Sequence, residues 1–145
     1  MKLAQKVEIS DEIIAEHVKF NNDNRQLTTI CATSFGSIYV VAWQPGQKCY
    51  PHLHDNSLGV IHVLEGELTH YQCQKISHMY PYQYRRIKTD QIQSGRWIGV
   101  DLNQMHELVN ESLENLITLH FRFFKSPVVL ENPRHDCPDT KQQVI

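Results

Sequence analysis

The fold of this 145-residue chain is decided by the stretch Gly46-Gln47-Lys48-Cys49-Tyr50-Pro51-His52-Leu53-His54. Pro51 favours an extended backbone, and residues two apart on an extended chain point to the same face. His52 and His54 therefore present two imidazoles on one side, which is the spacing of a bidentate metal clamp. An isolated H-x-H pair is more often a surface coincidence, so its weight depends on the sequence around it.

Glycines and a third histidine surround the pair at defined distances. One glycine lies six residues before His52, and another lies twelve residues after His54. Downstream, a further histidine is followed four residues later by an asparagine. These surrounding residues are Gly46, Gly66, Gly95, His106 and Asn110. His106 is therefore the candidate third ligand.

Short β-strand patterns at roughly ten-residue spacing flank the histidines on both sides. They are rich in β-branched and aromatic residues and are separated by turns such as Glu65-Gly66-Glu67. One helix precedes them, capped by Ser10 or Asp11 and covering about residues 10–20. Strands are expected at 28–33, 38–43, 59–64, 68–73, 84–88, 97–100, 105–110 and 116–124. This order predicts an all-β sandwich or barrel.

The length is that of one ordinary domain, expected to cover residues 1–145. Within it the barrel is predicted over about residues 27–130. A C-terminal tail over about residues 131–145 is expected to be poorly ordered or to lie on the surface.

Charge and composition exclude several classes of function. The chain has 14 basic and 16 acidic side chains, a net charge of −2, so neither nucleic acid nor an anionic membrane is an expected partner. No apolar run approaches a membrane span, and no secretory signal is visible. The four cysteines are scattered without a C-x-x-C pair, which favours free thiols in a reducing cytoplasm. A cytoplasmic monomer or small homo-oligomer is expected.

Nine histidines are an unusual number and indicate a metal. Three neutral imidazoles leave a divalent ion its full charge and several open coordination positions, which suits an anionic bidentate substrate. The same donors could hold Zn²⁺ and activate water, so the donor set alone does not select the metal. His62 shares a strand with alternating apolar residues and could face the site, but a core histidine is the more frequent case. Four others carry no spacing signal and are expected to be surface or structural residues: His17, His70, His78 and His135.

The layout resembles the two sequence motifs of the cupin superfamily. The first is a glycine, five residues, H-x-H, three or four residues, usually a glutamate, six residues and a glycine; the second is a glycine, five residues and P-x-G-x-x-H-x-x-x-N. The matching positions are Gly46, His52, His54, Gly66, Gly95, His106 and Asn110, while Asp101 and Asn103 replace the proline and glycine of the second motif. Over residues 43–123 the resemblance implies a double-stranded β-helix, a jelly-roll barrel, with a short N-terminal helix.

The chain departs from the first motif at one ligand. Gly59 stands where the motif has its glutamate. Glu65 cannot replace that glutamate, because six positions along an extended strand place it roughly 20 Å away. The predicted metal site therefore consists of three neutral imidazoles without a carboxylate.

A finer resemblance is to thiol dioxygenases of the cysteine dioxygenase type. It rests on the strings Trp43-Gln44-Pro45-Gly46, His52-Leu53-His54-Asp55, Val63-Leu64-Glu65-Gly66-Glu67-Leu68, Met105-His106-Glu107-Leu108-Val109-Asn110 and Thr118-Leu119-His120. That family binds Fe(II) through three histidines, which correspond to His52, His54 and His106, and converts a small thiol and O₂ to a sulfinate. The resemblance implies the same cofactor and reaction here, with Zn or Mn as alternative metals.

The same resemblance implies roles for other residues. Arg25 corresponds to an arginine that pairs with the substrate carboxylate, although a solvated loop charge is the alternative interpretation. His120 corresponds to the histidine of a Ser-His-Tyr relay, with Thr118 in place of the serine and Arg122 in place of the tyrosine. Arg122 should project to the same face as His120. Gly59 replaces the cysteine that animal members crosslink to the tyrosine, as in bacterial members.

Two classes of function follow. The first is an Fe(II)-dependent dioxygenase that acts on cysteine or a similar carboxylated thiol, with 3-mercaptopropionate as the nearest alternative substrate. The second is a cupin that binds a small ligand, or holds Zn²⁺ or Mn²⁺, without oxygenation; the altered relay favours it.

Overall fold

A computed structural model describes residues 1–54 and 56–128. It contains a 3-10 helix at Ala4–Lys6, one α-helix and nine strands within those residues. The elements are α1 (Asp11–His17), β1 (Gln26–Thr33), β2 (Gly36–Trp43), β3 (Lys48–His52), β4 (Ser57–Glu65), β5 (Glu67–Lys75), β6 (Tyr84–Gln93), β7 (Trp97–Val100), β8 (Met105–Val109) and β9 (Leu116–Phe124). The predicted C-terminal tail and the end of the predicted barrel lie outside the described residues.

The strands form two antiparallel sheets. One has five strands in the order β1-β2-β9-β4-β7, and the other has four in the order β3-β8-β5-β6. Alternate side chains of both sheets meet in one apolar cluster, because successive residues of a strand point to opposite faces. The buried members of this cluster are Val41, Trp43, Cys49, Ile61, Val63, Leu68, Ile92, Val100, Leu108 and Leu116. The all-β expectation is confirmed.

The N-terminal helix is shorter than the sequence indicates. The Ser10 side chain accepts a hydrogen bond from the Ile13 amide and caps α1, as predicted. The helix ends at His17, because Val18 is already extended. Ile14 and Val18 then pack together on the outer face of the five-stranded sheet, where a second apolar cluster lies. Packing on that face thus sets where the helix ends.

Strand β3 is not among the expected strands. It is only five residues long and contains Pro51, which cannot donate to a sheet ladder. The proline is tolerated because β3 is an edge strand of its sheet. Pairing with β8 and burial of Cys49 in the core hold this segment in the sheet. Tertiary contacts, rather than local propensity, make it a strand.

Within the described ranges, no helix is both long enough and apolar enough to cross a membrane. The cytoplasmic location stays a prediction.

The turn between β4 and β5 depends on Gly66. This residue has φ +81°, a left-handed conformation that side chains disfavour. A Cβ atom built there would lie 2.5 Å from the backbone oxygen of Asn115 and 3.1 Å from the Leu116 Cα atom. Gly66 is therefore required both by its own conformation and by the close approach of another backbone segment.

We expect Gly66→Ala to lower the free energy of unfolding by well over the ~1–2 kcal/mol that a left-handed backbone alone costs a non-glycine residue. Gly95→Ala is the matched control, because Gly95 has φ +83° but nothing within 4 Å of its added Cβ. Urea denaturation of both variants separates the two effects. Equal losses would show that the contact with Asn115 contributes nothing.

Candidate metal centre

Three imidazoles converge between the sheets. The Nε2 atoms of His52 and His54 are 3.0 Å apart, those of His54 and His106 are 3.0 Å apart, and those of His106 and His52 are 3.2 Å apart. All three side chains are buried. His52 ends β3, His54 follows it, and His106 on β8 is the direct pairing partner of His52. The structure thus brings together the three metal ligands predicted from the sequence.

The triangle of nitrogens fits a metal ion better than a set of hydrogen bonds. A neutral imidazole has one hydrogen, directed along one ring axis, so three such rings cannot satisfy three mutual contacts. Ligands about 2.1 Å from an ion and at right angles to each other are about 3.0 Å apart. The observed separations lie close to this distance, and three protein ligands would leave further coordination positions open.

A hydrogen bond of the backbone orients one of the three rings. The Nδ1 atom of His52 lies 2.8 Å from the carbonyl oxygen of Tyr50 and donates its proton to it. Its Nε2 atom therefore carries a lone pair, as metal binding requires. Pro51 lies between the two residues in β3, and its ring restricts the backbone there.

Burial keeps the imidazoles of His54 and His106 neutral. It is the largest cause that lowers the pKa of His54 to about 3, with His52 and then Arg122 adding to the shift. The pKa of His106 is lowered well below its usual value, again by burial first and then by neighbouring histidines. Neutral imidazole is the form that ligates a metal.

Among the described residues that line the cavity around the histidines, none is acidic. Gly59 lies on the wall of this cavity, and a Cβ atom there would meet the Val100 Cβ at 3.3 Å. Glu65 is at the opposite end of β4 and does not line the cavity. The ligand set of three imidazoles without a carboxylate stays a prediction.

The cavity is small. Its volume is about 20 Å³, which is room for one or two waters. Two cationic side chains lie on its walls, Arg25 just before β1 and Arg122 on β9. Arg25 donates to the Lys48 carbonyl oxygen at 3.1 Å, and Arg122 donates to the Ser57 hydroxyl at 2.6 Å. A ligand that enters must be small and is met by positive charge.

A hydrogen-bond chain assigns the tautomer of His120. The Trp43 indole N–H donates to the Thr118 hydroxyl at 2.9 Å, so this hydroxyl must donate its own hydrogen elsewhere. The nearer acceptor is the His120 Nε2 atom at 2.8 Å. The other acceptor within reach, the Val41 carbonyl oxygen, is farther away at 3.5 Å. With the hydroxyl hydrogen on the shorter contact, His120 carries its proton on Nδ1. Burial is also the largest cause that lowers the pKa of His120 to about 3, with His54 and then Arg25 next.

The sequence did not single out Tyr39 or His70. Tyr39 lines the cavity, and its ring stacks on that of His120 with centroids 4.9 Å apart. His70 is only 3% exposed, and its ring is 5.3 Å from that of His106. The sequence signal that could have found them is the alternation of inward and outward side chains along a strand. Tyr39 stands two positions from Val41 and His70 stands two positions from Leu68, and both of these neighbours belong to the core.

The structure is similar to several solved structures at low sequence identity. An uncharacterised conserved protein with a double-stranded β-helix domain from Klebsiella pneumoniae is 19% identical; the match covers 81% of this chain and 90% of that one, with a TM-score of 0.64. An RmlC-like cupin protein from Desulfovibrio desulfuricans is 16% identical over 74% of this chain and 90% of its own, with a TM-score of 0.58. This chain has the double-stranded β-helix fold of the cupins.

An enzyme is also among the proteins with this cupin fold. An oxalate oxidase is 16% identical, over 74% of this chain and 55% of its own, with a TM-score of 0.56. No protein-family model and no curated protein sequence matches the chain. At these identities the likeness concerns the fold, and the site must be interpreted from its own residues.

We expect the metal-free protein to lose stability in mild acid. The pKa of His54 and of His120 is about 3 in the folded chain and near 6.5 when unfolded. Between these values the unfolded chain binds more protons, so the free energy of unfolding falls as the pH falls below 6.5. Each such histidine contributes up to about 1.4 kcal/mol per pH unit.

Urea midpoints of the chelator-treated protein, measured from pH 7.5 to pH 5, test this expectation. His120→Gln removes one of the titrating groups and should flatten the dependence. A midpoint that does not change with pH would contradict the buried neutral state of these imidazoles.

Proposed function

We propose that this cupin is an Fe(II)-dependent thiol dioxygenase that converts a small carboxylated thiol and O₂ to the sulfinate. Cysteine and 3-mercaptopropionate are the substrates of the proposed class. The observation that carries the proposal is the convergence of three buried imidazoles, with no acidic residue among the described lining residues, in a cavity that two arginines also line.

The charge of this site favours an anionic substrate. His52, His54 and His106 would hold the ion without neutralising its charge, and Arg25 and Arg122 add positive charge beside it. When bound, Fe(II) would supply a Lewis acid that keeps the thiol ionised and the redox chemistry that joins sulfur to O₂. A thiolate that also carries a carboxylate meets the charge requirement with few atoms.

The proposed reaction balances without another reactant. The thiol loses its proton, two sulfur–oxygen bonds form, and the bond of O₂ breaks. Sulfur is oxidised by four electrons, and O₂ is reduced by the same four. No nicotinamide or external reductant is needed.

The arginines would bind the carboxylate of the substrate. A carboxylate in a closed cavity is costly unless a cation pairs with it. Hydrogen bonds to Lys48 and Ser57 hold the two guanidiniums on the cavity wall, so each is oriented before a ligand arrives. Arg25 is the residue that the family resemblance indicates, and Arg122 stands where that family has tyrosine.

His120 would act as a hydrogen-bond donor in the cavity. Thr118 occupies its Nε2 atom, so the donor is Nδ1–H. Tyr39 stacks on the ring and supports this orientation. Tyr39 also lines this cavity. It is the candidate to replace the family's tyrosine, which is missing here because the chain has Arg122 at that position.

The second candidate is a cupin that binds a small ligand, or holds Zn²⁺ or Mn²⁺, without oxygenation. Arg122 at the tyrosine position favours it, because a guanidinium only donates hydrogen bonds, whereas a phenol both donates and accepts them. The three histidines serve either metal equally well. Only the reaction separates the two candidates.

We expect the iron-loaded protein to consume about one O₂ per thiol and to form sulfinate. The measurement is O₂ uptake over a panel of small thiols, with product identification by mass spectrometry. His106→Ala should abolish uptake and iron binding together. His62→Gln is the matched control, because His62 stacks on Trp97 outside the cavity and should leave both unchanged. Iron-loaded protein that takes up no O₂ with any thiol would favour the binding cupin.

The carboxylate partner is tested by comparing cysteine with cysteamine, which lacks the carboxylate. Losing one partner of a buried charge pair costs about 2 kcal/mol or more, so Arg25→Ala should raise KM for cysteine by at least ~30-fold. The same variant should change KM for cysteamine only slightly. If Arg25→Ala leaves the preference for cysteine intact and Arg122→Ala abolishes it, Arg122 is the carboxylate partner and the choice of Arg25 is wrong.

A further inference from the structure

His70 lies behind the metal centre on the inner face of the four-stranded sheet. It is on β5, where its pairing partners are Leu108 of β8 and Asp90 of β6. Its side chain is 3% exposed, and its ring meets that of His106 at an interplanar angle of 72°. The proposed function assigns no role to this buried histidine.

Metal binding imposes a requirement on His106. Its Nε2 atom faces the Nε2 atoms of the other two ligands, so this nitrogen must provide the lone pair. The neutral ring then carries its proton on Nδ1. That Nδ1 atom is buried and has no hydrogen-bond partner among the described residues. A buried N–H group needs an acceptor, and metal-bound histidines regularly have one.

His70 offers the matching acceptor. Its Nε2 atom is likewise buried without a partner in the described part of the chain. The ring centroids are 5.3 Å apart, and each nitrogen lies about 1.1 Å from its own centroid. Nitrogens that face each other across this gap come within about 3.1 Å, a hydrogen-bond distance. The two nitrogens do not make this contact in the structure, so it requires the rings to turn toward each other.

Asp90 selects the tautomer that this contact requires. Its carboxylate oxygen lies 3.8 Å from the Nδ1 atom of His70, and Lys88 holds the same oxygen at 3.0 Å. A proton on Nδ1 faces this negative charge, which leaves a lone pair on Nε2. In a chain from Asp90 through His70 to His106, each of the two rings would carry its proton on Nδ1 and its lone pair on Nε2.

We propose that His70 is a positioning residue for His106, whose Nδ1–H group donates to the His70 Nε2 atom, directly or through one water, while Asp90 orients His70. The proposal rests on the metal centre proposed above. It assigns to His70 the task of fixing the tautomer and angle of one ligand, which raises metal affinity without contact with the metal.

Titration with Co(II), monitored by its visible absorption bands, tests the proposal without turnover. His70→Leu should weaken Co(II) binding by about 10- to 100-fold and shift the bands. His70→Gln should recover part of the affinity, because its amide oxygen can accept the same hydrogen bond. Asp90→Asn should weaken binding by less than His70→Leu does. Thr69→Val is the control. Thr69 is a buried neighbour of His70 that faces away from the metal centre, and its hydroxyl likewise has no hydrogen-bond partner in the part of the chain that the structure describes.

Melting temperatures separate positioning from packing. A packing role lowers the Tm of metal-free and Co(II)-loaded protein equally, whereas the proposed role lowers that of the loaded protein more. The proposal is overturned if His70→Leu binds Co(II) as tightly as wild type, or if His70→Gln binds no better than His70→Leu. Wild-type protein that binds no Co(II) would instead overturn the three-histidine centre itself.

Discussion

The site depends on the register between β3 and β8. His52 and His106 are direct partners in that antiparallel pairing, and His54 lies two residues beyond His52. A slip of one residue would turn an imidazole to the opposite face of its sheet. The pairing of β3 with β8 shifts register between Cys49 and His52, so that both side chains, three residues apart, are buried. The packing of the core and the placement of the three histidines therefore depend on the same strand pairing.

The electrostatic character of the cavity follows from what surrounds those ligands. Two guanidiniums lie on its walls, and the described lining residues include no carboxylate. A carboxylate ligand would have balanced part of the charge of a bound ion. With Gly59 at the position of that ligand in the related motif, the proposed substrate would supply the balancing charge.

Burial of neutral histidines gives the site its chemistry and makes the fold sensitive to acid. The same loss of water that lowers the pKa of His54 and His120 also strengthens hydrogen bonds inside the cavity. The Trp43–Thr118–His120 chain satisfies one of these rings. The rings of His54 and His106 each keep an Nδ1 atom without a partner among the described residues. Buried polar atoms of this kind mark positions where a neighbouring group or a bound ligand could form a further hydrogen bond.

The sequence by itself determined the features that are local along the chain. The H-x-H spacing, the turn at Gly66 and strand-sized runs of β-branched residues each involve a few neighbours, so an extended backbone and its period of two were enough to predict them. It also indicated His106, because this histidine has a motif of its own. Only the tertiary structure decided that β3 is a strand, that α1 ends at His17, and that Tyr39 and His70 lie against site histidines. Those features depend on which strands pair and in which register, and that is set by packing between residues far apart in the chain.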